Sequence, residues 1–333
     1  MKIMKKLITL SMLFVATALF AQEEATEKKL SITGSVDAYY QTNLSVSDQA
    51  GQSFGTSFAD ETGFALGMAN LIASYDGEKT GVVADVVFGP RGDAAIGGYN
   101  LNQLYAYWNV SESTTLTMGR FNTYLGYEVI SPVGNFNYST SYMFSSGPFS
   151  MVGLKADFAL SDDFSLMLAF MNPTDVNNNM IGGYALGAQF GFYGQYLNLY
   201  YDDNEVLGFE IDYTGGFDVS DSFFLGVNAA YQNMEVAPDL DGGFYGVALY
   251  PQVGLSDSFD LGLRGEYFGL HGDANPDEES VLSLTLTGSF AIENLTIKPE
   301  IRLDSWSEDG YLDSDLMPTD ALSSFLLAAI YAF

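Results

Sequence analysis

Between Leu295 and Asp304 every second side chain is apolar. Leu295, Ile297, Pro299, Ile301 and Leu303 point one way, and Thr296, Lys298, Glu300, Arg302 and Asp304 point the other. A period of two is the period of a β-strand with two unlike faces. The pattern returns in Val281–Phe290, where Leu282, Leu284, Leu286 and Phe290 oppose Ser283, Thr285, Thr287 and Ser289. Leu261, Leu263 and Tyr267 oppose Asp260, Arg264 and Glu266, and Ile32, Val36 and Tyr40 oppose Thr33, Asp37 and Gln41. A soluble sandwich alternates in the same way, so alternation by itself does not separate a sandwich from a membrane barrel.

The two ends of the chain separate them. Lys2, Lys5 and Lys6 precede an apolar stretch from Leu7 to Phe20, and Ala21-Gln22 reads as a cleavage point before an acidic stretch. Residues 1–21 are therefore expected to be a signal peptide, too short for the ~20-residue helix that spans a bilayer. Residues 22–29 are expected to be a short periplasmic segment and residues 30–333 a barrel, with no room for a plug domain before the first strand. At the other end, Phe325, Leu327, Ala329, Tyr331 and Phe333 share one face of a last strand. Tyr331 and the terminal Phe333 fit an interfacial aromatic signal read by barrel-assembly machinery. Gly, Ser, Asn or a charge interrupts every other apolar run. Closed β-structure is then the remaining way to satisfy a backbone in lipid.

A polar punctuation recurs along the chain: Ser111-Glu112-Ser113, Ser161-Asp162-Asp163, Ser220-Asp221-Ser222 and Ser256-Asp257-Ser258, with weaker copies at Asp76-Gly77 and Glu293-Asn294. Asp76 to Glu112, Ser220 to Ser256 and Ser256 to Ile292 are each 36 residues apart. The unit reads as tight turn, strand, long loop, strand, and a further turn is expected near Phe192–Gln195. The count predicts an all-β, transmembrane, antiparallel up-and-down barrel of about 16 strands, within a range of about 14 to 18. Short turns face the periplasm and long acidic loops face out. Side chains do not fill a barrel of that width, so an aqueous lumen follows.

Charge narrows the partners. The chain carries 42 Asp and Glu against 12 Lys and Arg, a net charge of −30, and its excess of acid repels nucleic-acid phosphates. Zero Cys removes disulfides and thiolate chemistry. The sole His, His271, falls in a predicted acidic loop and reads as a solvated residue; no Ser–His–acid arrangement can be built without it. No enzyme activity and no cofactor are expected. Acidic stretches at Asp202–Glu205, Asp239–Asp241, Asp273–Glu279 and Glu308–Asp315 fall on the long-loop side, where Arg91 is the one base. Asp273–Asp277 begins like a calcium loop, but Glu278 stands where Gly is needed and Leu284 where a bidentate Glu belongs. No metal site is assigned, and weak surface binding of Ca²⁺ or Mg²⁺ is left as the alternative to solvated loops.

Alternation also names the lumen. Asp37, Asp85, Asp157, Glu210, Asp212, Glu266, Glu300 and Asp304 are the expected inward acids, and Lys155, Arg264, Lys298 and Arg302 the expected inward bases, with Arg120 a further candidate. The inner charges of Lys298, Glu300, Arg302 and Asp304 are placed to pair along one strand. Acids exceed bases, which predicts a modest cation preference that fades with salt. The longest predicted loop, Asn122–Gly147, is rich in aromatics, with Tyr124, Tyr127, Phe136, Tyr138, Tyr142 and Phe144. It must pack them somewhere. Folding into the lumen as a constriction, with Tyr124, Tyr127, Glu128, Phe136 and Tyr138, and packing over the outer rim are both open.

The stretch Gly119-Arg120-Phe121-Asn122-Thr123-Tyr124-Leu125-Gly126-Tyr127-Glu128, followed by Phe136-Asn137-Tyr138-Ser139 and Gly147-Pro148-Phe149, resembles the OmpL-like β-barrel porin family of bacterial outer membranes. The opening strand Gly34–Tyr40 and the Leu-Ser-Asp turns are similar too, so the likeness runs over nearly the whole mature chain. It implies an outer-membrane porin, embedded in lipid, through which small polar solutes or ions diffuse. It supplies no catalytic residue and leaves the solute and the oligomeric state open. A non-conducting barrel with an adhesive or structural surface shares these features and stands as the alternative. A hydrocarbon transporter would need an apolar lumen, which the inner faces do not offer.

Overall fold

The computed structural model describes residues 29–48, 51–96 and 99–333. The expected signal peptide and all but the last residue of the 22–29 segment lie outside them. The described chain forms β1 (Lys29–Asn43), β2 (Gly63–Asp76), β3 (Thr80–Phe88), β4 (Leu101–Ser111), β5 (Thr114–Asn122) and β6 (Ser150–Ala159). Then come β7 (Phe164–Met171), β8 (Ala185–Phe192), β9 (Gln195–Tyr201), β10 (Phe209–Ser220), β11 (Phe223–Ala237) and β12 (Leu240–Ser256). The last strands are β13 (Phe259–His271), β14 (Ser280–Ile292), β15 (Leu295–Trp306), the two-residue β16 (Tyr311–Leu312) and β17 (Pro318–Thr319), and β18 (Ala321–Ala332). Two short helices, α1 (Pro90–Ile96) and α2 (Tyr142–Ser146), lie within loops.

Sixteen of the strands form one closed antiparallel barrel, and β16 and β17 make a separate ribbon in the last loop. Closure joins β1 to β18, in register from Ser35 opposite Ala332 to Asn43 opposite Ser324. Beyond the ladder, Gly34 and Phe333 exchange both backbone bonds, at 3.0 and 2.9 Å. The sheet therefore has no free edge.

The burial pattern is inverted relative to a sandwich. On β14, Leu282, Leu284 and Leu286 are exposed on the outer face, while Ser283, Thr285 and Thr287 are wholly buried on the inner one. Apolar-out and polar-in is the arrangement of a wall in lipid.

The recurrent punctuation has a local cause. Ser111, Ser161, Ser220 and Ser256 each use the side-chain oxygen to accept the amide two residues on, at 3.3 to 3.4 Å. A hydroxyl that mimics a backbone turn in this way tightens a hairpin. The expected turn near Phe192 is present as Tyr193-Gly194, between β8 and β9. The opposite rim carries the long connections, with one exception. The acidic stretch at Asp239 is not a long loop: Pro238-Asp239 is a two-residue turn, and Leu240 and Asp241 already belong to β12. Asp239 adopts the positive φ of 61° such a turn requires.

Candidate functional site: the lumen and the segment inside it

The connection between β5 and β6, residues 123–149, does not cap the rim. It runs inside the barrel. Backbone amides carried into a closed interior need acceptors, and the wall supplies carboxylates. Glu300 accepts the amides of Tyr138 and Ser139, at 2.9 and 3.2 Å. Glu266 accepts those of Tyr142 and Met143, at 3.0 and 2.8 Å. These last two are unpaired donors of the first turn of α2, so a wall carboxylate completes a helix that Ser141 caps from within the loop. Asp212 accepts from Gly126 at 3.1 Å. The Tyr138 hydroxyl donates to Asp37 at 2.5 Å, and the Tyr142 hydroxyl to Asp304 at 2.7 Å.

Wall cations take the carbonyls of the same segment. Lys298 donates to Asn135 O at 2.5 Å, Arg302 to Thr140 O at 3.0 Å, and Arg264 to Ser139 O at 2.7 Å. Arg264 also pairs with Glu128 at 2.7 Å. Of the expected strand pairing, Arg302–Asp304 forms at 2.8 Å. Lys298 and Glu300 instead turn to the inserted segment.

Three aromatic side chains and one methionine of the segment sit on wall glycines. Tyr124 covers Gly187, Tyr127 covers Gly226, Phe136 covers Gly262 and Met143 covers Gly246; a Cβ at any of these glycines would occupy space the loop side chain fills. Tyr127 further stacks on Tyr250, with ring centroids 4.3 Å apart.

Arg91, read from sequence as a loop base, is buried in α1. It donates to Ile130 O at 2.7 Å, and its guanidinium lies 4.5 Å from the Phe58 ring centroid and 5.4 Å from that of Tyr138. The first external loop, residues 44–62, thereby reaches the segment. In that loop Asp60 accepts the amides of Phe54 and Gly55, and burial pushes its carboxyl above the ordinary range.

Ten of the twelve charges assigned to the lumen are therefore buried; Lys155 and Asp157 are the two that keep access to water, at 19 % and 39 % side-chain exposure. They form their own pair on β6 at 3.0 Å. Asp85 lies apart from the segment, held by Asn70, by Asn102 at 2.7 Å and by Gln103 at 3.2 Å.

Two expectations are corrected. Arg120 does not join the lumen charges: its cross-strand partner Leu104 is on the exposed outer face, and its guanidinium bonds Asn102 O at 3.0 Å and Asn177 of the following loop. His271 is not a solvated loop residue. It ends β13, its Nε2 lies 2.8 Å from Gln232 O and its ring stacks on Tyr231. Tyr331 and Phe333 point outward at the closing seam. Among the described residues no group of three or more His, Asp or Glu side chains is placed to hold a metal ion.

A closed barrel of sixteen antiparallel strands, apolar outside and charged within, with a long loop turned into its interior, defines an outer-membrane porin. Residues 29–333 match the family model described as "Putative beta-barrel porin-2, OmpL-like", and the chain belongs to that family. No protein with a curated description matches the sequence. Among solved structures, the outer membrane channel DcaP of Acinetobacter baumannii aligns over 95% of this chain and 100% of its own, with 13% identity and a TM-score of 0.61. The anion-selective porin from Comamonas acidovorans aligns over 92% and 100%, with 11% identity and a TM-score of 0.62. OmpT of Vibrio cholerae aligns over 95% and 100%, with 11% identity and a TM-score of 0.58. At these identities the likeness is one of fold.

Proposed function

We propose that the barrel is a diffusion channel for small polar solutes and ions, narrowed by residues 123–149, with a modest preference for cations. The observation that carries this is the insertion of that segment. Wall acids and bases bind its backbone, so a charged interior serves to hold a constriction in place. Tyr124, Tyr127, Glu128, Phe136 and Tyr138 belong to the constriction. Asp37, Asp212, Arg264, Glu266, Lys298, Glu300, Arg302 and Asp304 are its anchors on the wall.

The cation preference comes from water-accessible charge. Buried charges matched by hydrogen bonds contribute little to the field a passing ion meets, whereas acids at the mouth act over a Debye length of ~8–10 Å near physiological salt. The external acidic loops carry most of that charge, and Lys155–Asp157 contributes near-neutral polarity on the opposite side. Outer-membrane lipid surrounds the barrel, and Tyr331 and Phe333 form the signal read by the assembly machinery.

The test is conductance of the purified barrel in a planar bilayer, with reversal potential read across a salt gradient. Cation-directed reversal that declines as salt rises supports the proposal. Anion-directed reversal refutes the charge argument. Absence of conductance favours a non-conducting barrel with a surface role.

A further inference from the structure

Each buried inward acid near the inserted segment has partners except one. Glu266 and Glu300 each hold two segment amides, Asp304 holds Arg302, and Asp37 holds the Met68 amide and the Tyr138 hydroxyl. Glu210 is 98% buried, and its Oε2 has no hydrogen-bond partner. Two residues along the same face, Asp212 is wholly buried too. The ion pairs found among the described residues are Lys155–Asp157, Arg264–Glu128 and Arg302–Asp304, so neither Glu210 nor Asp212 has a cationic partner there.

Both acids face a small void with room for about one water-sized body. The two ends of the inserted segment close it, Leu125-Gly126 on one side and Met143, Phe144 and Gly147-Pro148 on the other. Asp212 already accepts from Gly126 at 3.1 Å, Asn198 at 2.6 Å and Asn228 at 2.5 Å, which leaves it about one of its four lone-pair positions. Glu210 Oε2 has both of its lone-pair positions free. A carboxylate buried without a cationic partner keeps its charge only where a counter-charge joins it, and otherwise takes up a proton.

We propose that Glu210 and Asp212 hold one calcium ion, which pins both ends of residues 123–149 to β10. One divalent cation matches the doubled negative charge. The donor set is all oxygen, which suits a hard cation. Two acids are fewer ligands than calcium takes, so backbone carbonyls of the enclosing segment would complete the shell. Magnesium holds its own waters tightly and does not fit a space for a single water-sized body. This site is separate from the acidic external loops, and it does not depend on whether solutes pass through the barrel.

The test uses the full mature chain folded in detergent, titrated calorimetrically with CaCl₂. The external loops give a weak background in every variant. Wild type is expected to show one additional ion per barrel, and Glu210→Gln, which preserves shape, to lose about tenfold or more in affinity at that step. Identical isotherms for wild type and Glu210→Gln overturn the proposal and assign Glu210 a proton or a water. A second measurement needs no variant: hydrogen exchange of peptides covering 123–130 and 143–149 in CaCl₂, in MgCl₂ and in EGTA. Exchange slowed by calcium alone supports the site. Exchange unchanged by calcium, or slowed equally by magnesium as charge screening would do, overturns it.

Discussion

Arg264 Nη1 lies 2.7 Å from Glu128 Oε1, and neither side chain is open to water. One residue belongs to the wall and the other to the inserted segment, so the pair ties a loop to strand β13 through the middle of the barrel. Removing one member of a buried pair strands the other charge, at a cost of about 3–5 kcal/mol. Glu128→Gln is expected to lower the urea midpoint of the refolded barrel and to loosen the segment, raising single-channel conductance. Glu128→Gln with Arg264→Met removes both charges and is expected to recover part of the lost stability. A single variant within about 0.5 kcal/mol of wild type would show that the pair does not anchor the loop.

The glycine seats make a second prediction. Gly226 and Gly262 leave the space that Tyr127 and Phe136 occupy. Gly226→Val or Gly262→Val forces the ring off the wall, an overpacking cost of about 1–3 kcal/mol. We expect faster protease cleavage within 123–149 and altered conductance, with the barrel still heat-modifiable. Gly265→Ala is the control, because the nearest atom to its new Cβ is on Leu284 at 3.6 Å, an ordinary contact. Equal cleavage in all three variants refutes the seating argument.

The sequence carried the strands because a wall between lipid and water imposes a period of two on every residue. Leu282 against Ser283 is legible without knowing any partner. The serine turns were legible because each is a local hydrogen bond within three residues. The role of the inner charges was not. Glu300 meets the amides of Tyr138 and Ser139 across 162 and 161 residues of chain, and no local pattern encodes a contact at that separation. Periodicity assigned Glu300 a face and could not show that the face was covered. Arg91 was missed for the same reason: its partners Phe58, Ile130 and Tyr138 come from two other loops. The glycines left a trace, since Gly262 interrupts the inward series that continues with Arg264 and Glu266. A missing side chain on the lumen face is a place for another residue to sit.

At the seam, Gly34 and Phe333 exchange two backbone hydrogen bonds, and the Phe333 ring lies over Gly34. Phe333→Ala keeps the bonds and loses the ring; deletion of Phe333 loses both. Each backbone bond contributes about 0.5–1.5 kcal/mol. Deletion is therefore expected to reduce the yield of heat-modifiable, protease-resistant barrel in outer membranes more than Phe333→Ala does, and both to fall below wild type. Equal yields of all three would remove Phe333 from closure and from assembly.

Ion selectivity separates exposed from buried charge. Lys155 and Asp157 keep water access, and Glu300 does not. Two unit charges 4 Å apart in water interact by about 1 kcal/mol, so one exposed lumen charge changes a permeability ratio by about fivefold at most. Lys155→Gln removes a positive charge and is expected to move the reversal potential toward stronger cation selectivity. Asp157→Asn is expected to move it the other way by a similar amount. Both shifts should shrink at about 1 M salt, where the Debye length falls to about 3 Å. Glu300→Gln is expected to leave the reversal potential near wild type while increasing conductance noise, because it turns one of the two oxygens that accept the Tyr138 and Ser139 amides into an NH2 donor without changing the charge an ion meets. A Glu300→Gln shift larger than that of Asp157→Asn would place the buried carboxylate in the ion's path and overturn this assignment.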